Sequence, residues 1–160
     1  MTVTQVVQPA LVNHPFVAGL APRLLERLSP LAREVRYESD QVVFREGDDC
    51  HDFFLIFSGR VGLEIGHGRG TLRVQTLSAG DEFGWSAVLM GRGKHFQARA
   101  LESVMTLAFD GGQLMTLCQQ DTALGFELMH RMLGVVSERL QATRLQLLDM
   151  YWPVAKKAGA

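Results

Sequence analysis

The 160-residue chain has little of what marks the specialised protein classes. It has only two cysteines, Cys50 and Cys118, far apart in the chain. With no basic start and apolar core in MTVTQVVQPALVNHP, no secretory peptide is indicated. The two thiols then read as reduced, in a cytoplasmic protein, rather than as a disulfide framework. Charge of one sign is also lacking: 16 basic and 17 acidic residues leave a net charge of −1, so nothing draws the chain globally toward DNA or an anionic membrane. No apolar run approaches the ~20 residues that a membrane span needs. Cys50-His51-Asp52 has no partner cluster, so no metal site is expected. No nucleophile stands with a placed base, so no catalytic residue is assigned and no enzyme is expected. What is present is a 47% hydrophobic chain, enough for one domain with a core and one appended helix.

The period of the apolar residues changes twice along the chain. Residues 1–13 carry no clear period and read as a loose lead-in. Pro22 opens a helical pattern, with Leu24, Leu25, Leu28 and Leu31 on one face and proline at a favoured first position. From Val35 short β-rich pieces alternate with turn signals: REVRY, QVVFREGD, DFFLIFSGRV, GLEI, TLRVQTL and ARALESVMTLAFD. That spacing suits a small sandwich or barrel. Residues 66–70, GHGRG, read as a hairpin loop. From Gly111 the helical period returns, first in GGQLMTLCQQ and then in a long helix over 121–152. Asp121 can cap that helix, and Pro153 ends the helical pattern ahead of a tail over 153–160.

The long helix carries a heptad repeat. With a at Phe126, Leu133, Leu140 and Leu147, and d at Met129, Val136, Thr143 and Met150, seven of the eight seam positions are apolar. Such a seam predicts a parallel homodimer, because an isolated helix of this length would leave it in water. A second stripe, Leu128, Met132 and Val135, lies on an adjacent face and is suited to packing on the strands.

The strand block resembles a known family. The run from Val43 to Gly59, with its Gly47-Asp48 turn, Cys50 and the FFLIF strand leading to Gly59, is similar to the first signature of the cyclic-nucleotide-binding domain. Phe44 is larger than that pattern uses. Gly47 and Gly59 suit tight turns, and FFLIF reads as a strand buried on both faces. The resemblance covers residues 14 to about 150. It implies an α+β fold: an antiparallel, jelly-roll-like β-roll flanked by an N-terminal helix and a long C-terminal dimerisation helix, as one domain over 14–152. The helix is similar to that of the catabolite-activator type, through Arg139-Leu140-Gln141-Ala142-Thr143.

Residues 80–100, GDEFGWSAVLMGRGKHFQARA, resemble the family's second signature, its phosphate-binding cassette. The pattern there runs apolar, Gly, Glu, any, small, apolar, a spacer, then Arg, small, Ala. The resemblance implies ligand-binding positions at Phe83, Gly84, Trp85, Ser86, Ala87, Lys94, His95 and Phe96, with Thr143 matching a hydroxyl that contacts the purine. Phe83, Gly84, Ala87 and Val88 agree with the pattern. Trp85 stands where the glutamate accepts from the ribose hydroxyl, and an indole donates only. Lys94 stands at the arginine and neutralises phosphate without its bidentate fork. His95 and Phe96 replace small residues. The resemblance therefore implies a weakened phosphate cradle, no ribose carboxylate and poor recognition of cyclic AMP.

Other motifs fail on spacing. Gly91-Arg92-Gly93-Lys94 lacks the first glycine and the Ser or Thr of a P-loop. The glycines of residues 66–70 lack the helix that a dinucleotide fingerprint needs. The related cupin fold would be an enzyme alternative, but the sequence has no His-x-His. A transcription factor would need a helix-turn-helix, which YWPVAKKAGA cannot form after Met150, so no specific DNA binding is expected. Two functions stand. One is a non-enzymatic, dimeric sensor that takes a cyclic nucleotide or other anionic small ligand and signals to an unidentified partner protein. The other is a degenerate module of the same fold that binds no nucleotide and serves protein contacts only.

Overall fold

A computed structural model describes residues 9–89 and 95–152. The chain divides into two compact units, Met1–Gly125 and Phe126–Ala160. In the first, residues 9–12 are helical and Leu11 is fully buried. A 3-10 turn over Pro15–Val17 follows, then α1, Pro22–Leu28. Proline opens α1 as expected, but the helical face does not continue to Leu31. Ser29–Leu31 is a 3-10 turn, because Pro30 has no amide to donate to an α-helical ladder and its ring obstructs the preceding turn.

Eight strands among the described residues form two antiparallel sheets of four. They are β1 (Arg33–Tyr37), β2 (Val42–Phe44), β3 (Asp52–Ser58), β4 (Val61–His67), β5 (Gly70–Leu77), β6 (Glu82–Phe83), β7 (Gln97–Ala100) and β8 (Val104–Asp110). The first sheet runs β1-β8-β3-β6 and the second β2-β7-β4-β5. This is the expected β-roll. Val61 faces Ala100 and Leu63 faces Ala98 across β4 and β7, so these residues share the inner face of the second sheet. From the first sheet, Phe54, Ile56, Phe83, Val104 and Ala108 meet them, with Phe44 and Leu77, in one buried cluster. The outer residues of β3, Phe53 and Leu55, are also buried, as a strand covered on both faces requires. The Phe16 ring covers Phe53 at 5.3 Å between centroids.

The turns follow local chemistry. Gly59 adopts φ 84°, and a side chain there would collide with the Ser103 carbonyl. The hairpin expected as a five-residue loop over 66–70 is shorter. β4 continues to His67 and β5 starts at Gly70, with Gly68 at φ 58°. A two-residue turn with positive φ matches the twist of the flanking strands, so pairing continues to the tip.

Between the strands lies α2, Ser86–Leu89. After β8, Asp110 caps α3, Gly111–Gln120, by accepting from the Gln113 amide at 2.8 Å. Asp121 accepts from the Leu124 amide at 3.2 Å at the start of α4, Thr122–Tyr151. The same buried carboxylate receives Arg23 at 2.8 Å and Arg27 at 3.2 Å, joining α1 to the junction of the last two helices. The Arg23 hydrogen bond, then the Leu124 amide, hold its carboxyl below the usual range.

The second unit is the rest of α4. Leu128 and Met132 are buried. Phe126, Leu133, Leu140, Leu147 and Met150, all of the heptad seam, are exposed, while Met129 and Val136 are half-buried. The Phe126 ring stacks on His130, one turn on, at 5.9 Å. No helix among the described residues is long and apolar enough to cross a membrane.

One histidine ties the N-terminal segment to the roll. His14 is 2% exposed. Its Nδ1 accepts from the Phe16 amide at 3.1 Å, so Nε2 carries the proton and donates to the Ile56 carbonyl at 3.0 Å. Burial lowers its pKa from 6.5, against the opposing pull of the Ile56 and Asp81 backbone and of the Asp81 charge. The unfolded chain therefore takes up a proton before the native one. Stability should be level above about pH 6.5 and fall as the pH drops from there through the folded pKa. Thermal midpoints across that window should show this slope, and His14→Gln should flatten it. A wild-type midpoint unchanged between about pH 7.5 and about pH 5.5 would contradict the assignment.

Candidate functional site

The resembling cassette begins inside the core. Phe83 is fully buried and stacks on Phe54, with centroids 4.7 Å apart and planes 9° from parallel. Phe44 adds a third ring, 6.0 Å from Phe83. Gly84 then takes φ 81°, a conformation that favours glycine, and turns the chain from β6 into α2. The Ala87 amide donates to the Gly84 carbonyl and the Val88 amide to the Trp85 carbonyl, at 3.0 and 3.1 Å. Ser86, Ala87 and Val88 are buried, whereas Trp85 is half-buried. The Ala87 carbonyl lies against Gly111, where a Cβ would collide with it. Gly111 in turn donates to the His51 carbonyl at 2.7 Å. The turn into α2, the start of α3 and the approach to β3 are thus locked together.

The sites expected from sequence are placed unevenly. Phe83, Gly84, Trp85, Ser86 and Ala87 form one continuous turn. Phe96 belongs with them in space, because it packs half-buried on the same inner cluster as Phe83. His95 is exposed. Lys94 lies outside the described residues. Thr143 lies on the second unit, where its hydroxyl donates to the Arg139 carbonyl at 2.9 Å.

The rest of the inner wall is apolar. Val35, Val43, Cys50 and Val74 are half-buried against the cluster. Tyr37 is the exception in chemistry. Its ring packs edge-on to Phe54 at 6.4 Å. Burial, then the nearby Cys50 and Asp52, push its phenol up to about 12, with Arg33 opposing. Arg33 itself pairs with Asp52 at 2.8 Å. Tyr37 was not singled out from sequence, although the alternation of REVRY signals that Val35 and Tyr37 face one way and Glu34 and Arg36 the other.

Outside the roll, β7 is clamped by charge. Glu64, 6% exposed, receives Arg99 at 3.0 Å, Gln97 at 3.1 Å and Thr71 at 3.3 Å. Arg99 also reaches Asp40 at 3.1 Å. Burial opposes ionisation of Glu64, but the hydrogen bonds from Gln97 and Arg99 prevail and hold its carboxyl below the usual range. Among the described residues, no group of three or more His, Cys, Asp or Glu could hold a metal ion.

A roll whose cassette turn grows out of its aromatic core is the architecture of small-molecule-binding regulatory domains. The chain belongs to the cyclic nucleotide-binding domain family, whose profile it matches over residues 34–121. Among curated proteins there is no match. Solved structures share the fold. The Thermus thermophilus catabolite activator protein superposes with a TM-score of 0.70 at 24% identity, over 86% of this chain and 63% of that one. A cyclic nucleotide-binding domain from Methylobacillus flagellatus KT gives 0.78 at 16% identity, over 92% and 83%. The sensor domain of the transcriptional regulator DNR from Pseudomonas aeruginosa gives 0.69 at 21%, over 88% and 95%. This chain therefore spans just under two thirds of the Thermus protein.

The clamp on β7 can be tested directly. Glu64→Gln keeps the shape but leaves Arg99 facing a neutral amide. Losing charge-assisted hydrogen bonds of this kind costs about 2 kcal/mol. Denaturant unfolding should show that loss. A variant within about 0.5 kcal/mol of wild type would mean that the cluster contributes no more than an ordinary surface contact.

Proposed function

We propose that the protein is a dimeric, non-enzymatic sensor whose roll takes a small molecule through an altered cassette and whose response passes to a partner protein. The observation that carries this reading is Trp85. It stands half-buried on the turn between β6 and α2, where the family resemblance implies a carboxylate for the ribose hydroxyl. A donor-only indole recognises a different ligand edge, and its flat face suits stacking. The turn that bears it is held by Gly111 and His51, so the position is organised rather than loose. Cyclic AMP, lacking its ribose acceptor and meeting Lys94 in place of arginine, is expected to bind poorly.

A second reading is favoured by Phe96. Its ring packs on the inner cluster, as it would in a roll filled by its own side chains and used for protein contacts alone. A thermal-shift panel separates the two. A ligand at ~100 times its dissociation constant stabilises the fold by ~2.7 kcal/mol, which raises the midpoint of a chain this size by roughly 5–10 °C. Wild-type protein in millimolar cyclic AMP should shift far less. Trp85→Glu combined with Lys94→Arg should recover part of the response. A full shift of the wild type with micromolar cyclic AMP would refute the altered-cassette reading. Silence of both proteins toward every nucleotide would favour the protein-contact module.

The dimer rests on the exposed seam of α4. Phe126, Leu133, Leu140, Leu147 and Met150 recur with heptad spacing and are solvated in the single chain, which suits a parallel partner helix. Light scattering should give a homodimer at micromolar concentration, and Leu140→Glu, by placing like charges inside the seam, should give monomers. A wild-type monomer under those conditions would end the proposal.

A further inference from the structure

The inner wall of the roll presents one polar hydrogen of its own, on Tyr37. The ring lies against Phe54, and Val35, Val43, Cys50, Val74 and Phe96 pack on the same cluster. Buried phenols ordinarily find a partner, since desolvating a hydroxyl without one is costly. Among the described residues, none hydrogen-bonds the Tyr37 hydroxyl. The neighbouring charges do not fill that role: Arg33 and Asp52 satisfy each other at 2.8 Å. Tyr37 is only half-buried, so a small molecule can reach it.

We propose that the Tyr37 hydroxyl is a recognition donor of the roll's ligand site, and that its ligand presents a flat, uncharged aromatic ring with a hydrogen-bond acceptor. This rests on the sensor reading above and names the ligand edge that the roll reads. Each part follows from the wall. The phenol stays protonated across the physiological range, because burial pushes it up to about 12, and so it donates. The apolar and aromatic neighbours match a ring face and disfavour a charge. The paired Arg33 and Asp52 leave no net charge at that end to attract an ion. A heteroaromatic base has both required features, and a phosphate or a plain hydrocarbon has at most one.

Two probes of the same two-ring shape separate the contributions: quinoline, which has a ring-nitrogen acceptor, and naphthalene, which has none. Their affinities are to be measured by titration at neutral pH for the wild type and for Tyr37→Phe, which removes only the hydroxyl. The ratio of quinoline to naphthalene affinity should fall about tenfold in the variant, the worth of one hydrogen bond, while naphthalene binding should hold or improve. A Tyr37 that serves only packing would change stability and leave that ratio untouched, which would overturn the assignment. Failure of the wild type to bind either probe would overturn the sensor reading along with it. In the wild type itself, quinoline should shift the Tyr37 ring resonances more than naphthalene does. Equal shifts would reject the proposal even if the variant failed to fold.

Discussion

The stack of Phe83 on Phe54 is the contact on which the rest of the roll depends. Phe54 is central in the first sheet, paired through β3 to β8 and β6. Phe83 is the last residue of β6, and the next residue begins the cassette turn. One ring pair therefore belongs both to the hydrophobic core and to the candidate site. Displacing the turn would unstack two of the largest fully buried side chains, so the site inherits its rigidity from the core. Opposite the rings the second sheet presents small residues, Ala98 and Ala100, both fully buried. Large and small side chains thus interdigitate across the two sheets, as dense packing requires.

The two sheets are finished differently on their outer faces. On the first, buried apolar residues meet apolar cover: Phe53 has the Phe16 ring, and the Phe57 ring lies 4.9 Å from His14. On the second, the outer positions of β4 and β7 carry Glu64, Gln97 and Arg99. There a carboxylate is withdrawn from water by the groups that hydrogen-bond to it. Such a cluster gains little net stability over an apolar one, because desolvation offsets the attraction. Its effect is on register. Glu64 opposes Gln97, and a one-residue slip would turn every side chain of β7 to the wrong face. The strand that leaves the cassette is fixed by charge, as the strand that enters it is fixed by rings.

The cassette and α4 pose complementary demands on whatever function the protein serves. The cassette turn exposes an indole where a polar contact to sugar would be expected in its family. The helix exposes a periodic seam, with Phe126 and His130 stacked at its start. One is a feature suited to a small ligand and the other to a protein surface. A protein that carries both is suited to converting occupancy of the first into a change at the second. That coupling needs a second arrangement of the same parts, which is a property of energetics rather than of one conformation.

Much of the architecture was legible in the residues. Gly47 and Gly59 mark turns because their positive φ values, 83° and 84°, favour glycine. FFLIF reads as a doubly buried strand because no polar residue interrupts it. Asp121 reads as a cap because a short carboxylate before a helical run meets free amides. The seam of α4 is visible because helical spacing maps sequence directly onto a face. The short hairpin at Gly68 and the break of α1 at Pro30 were less visible, since each depends on whether neighbouring pairing continues through a permissive residue. What only the tertiary structure decided were the meetings across distance. His14 finds the Ile56 carbonyl 42 residues on, Arg99 finds Glu64 over 35, and Tyr37 lies edge-on to Phe54 because β8 separates their strands in the sheet. Alternation in a strand says which residues share a face. It does not say which strand will lie alongside, and that is set only when the two sheets close around one core.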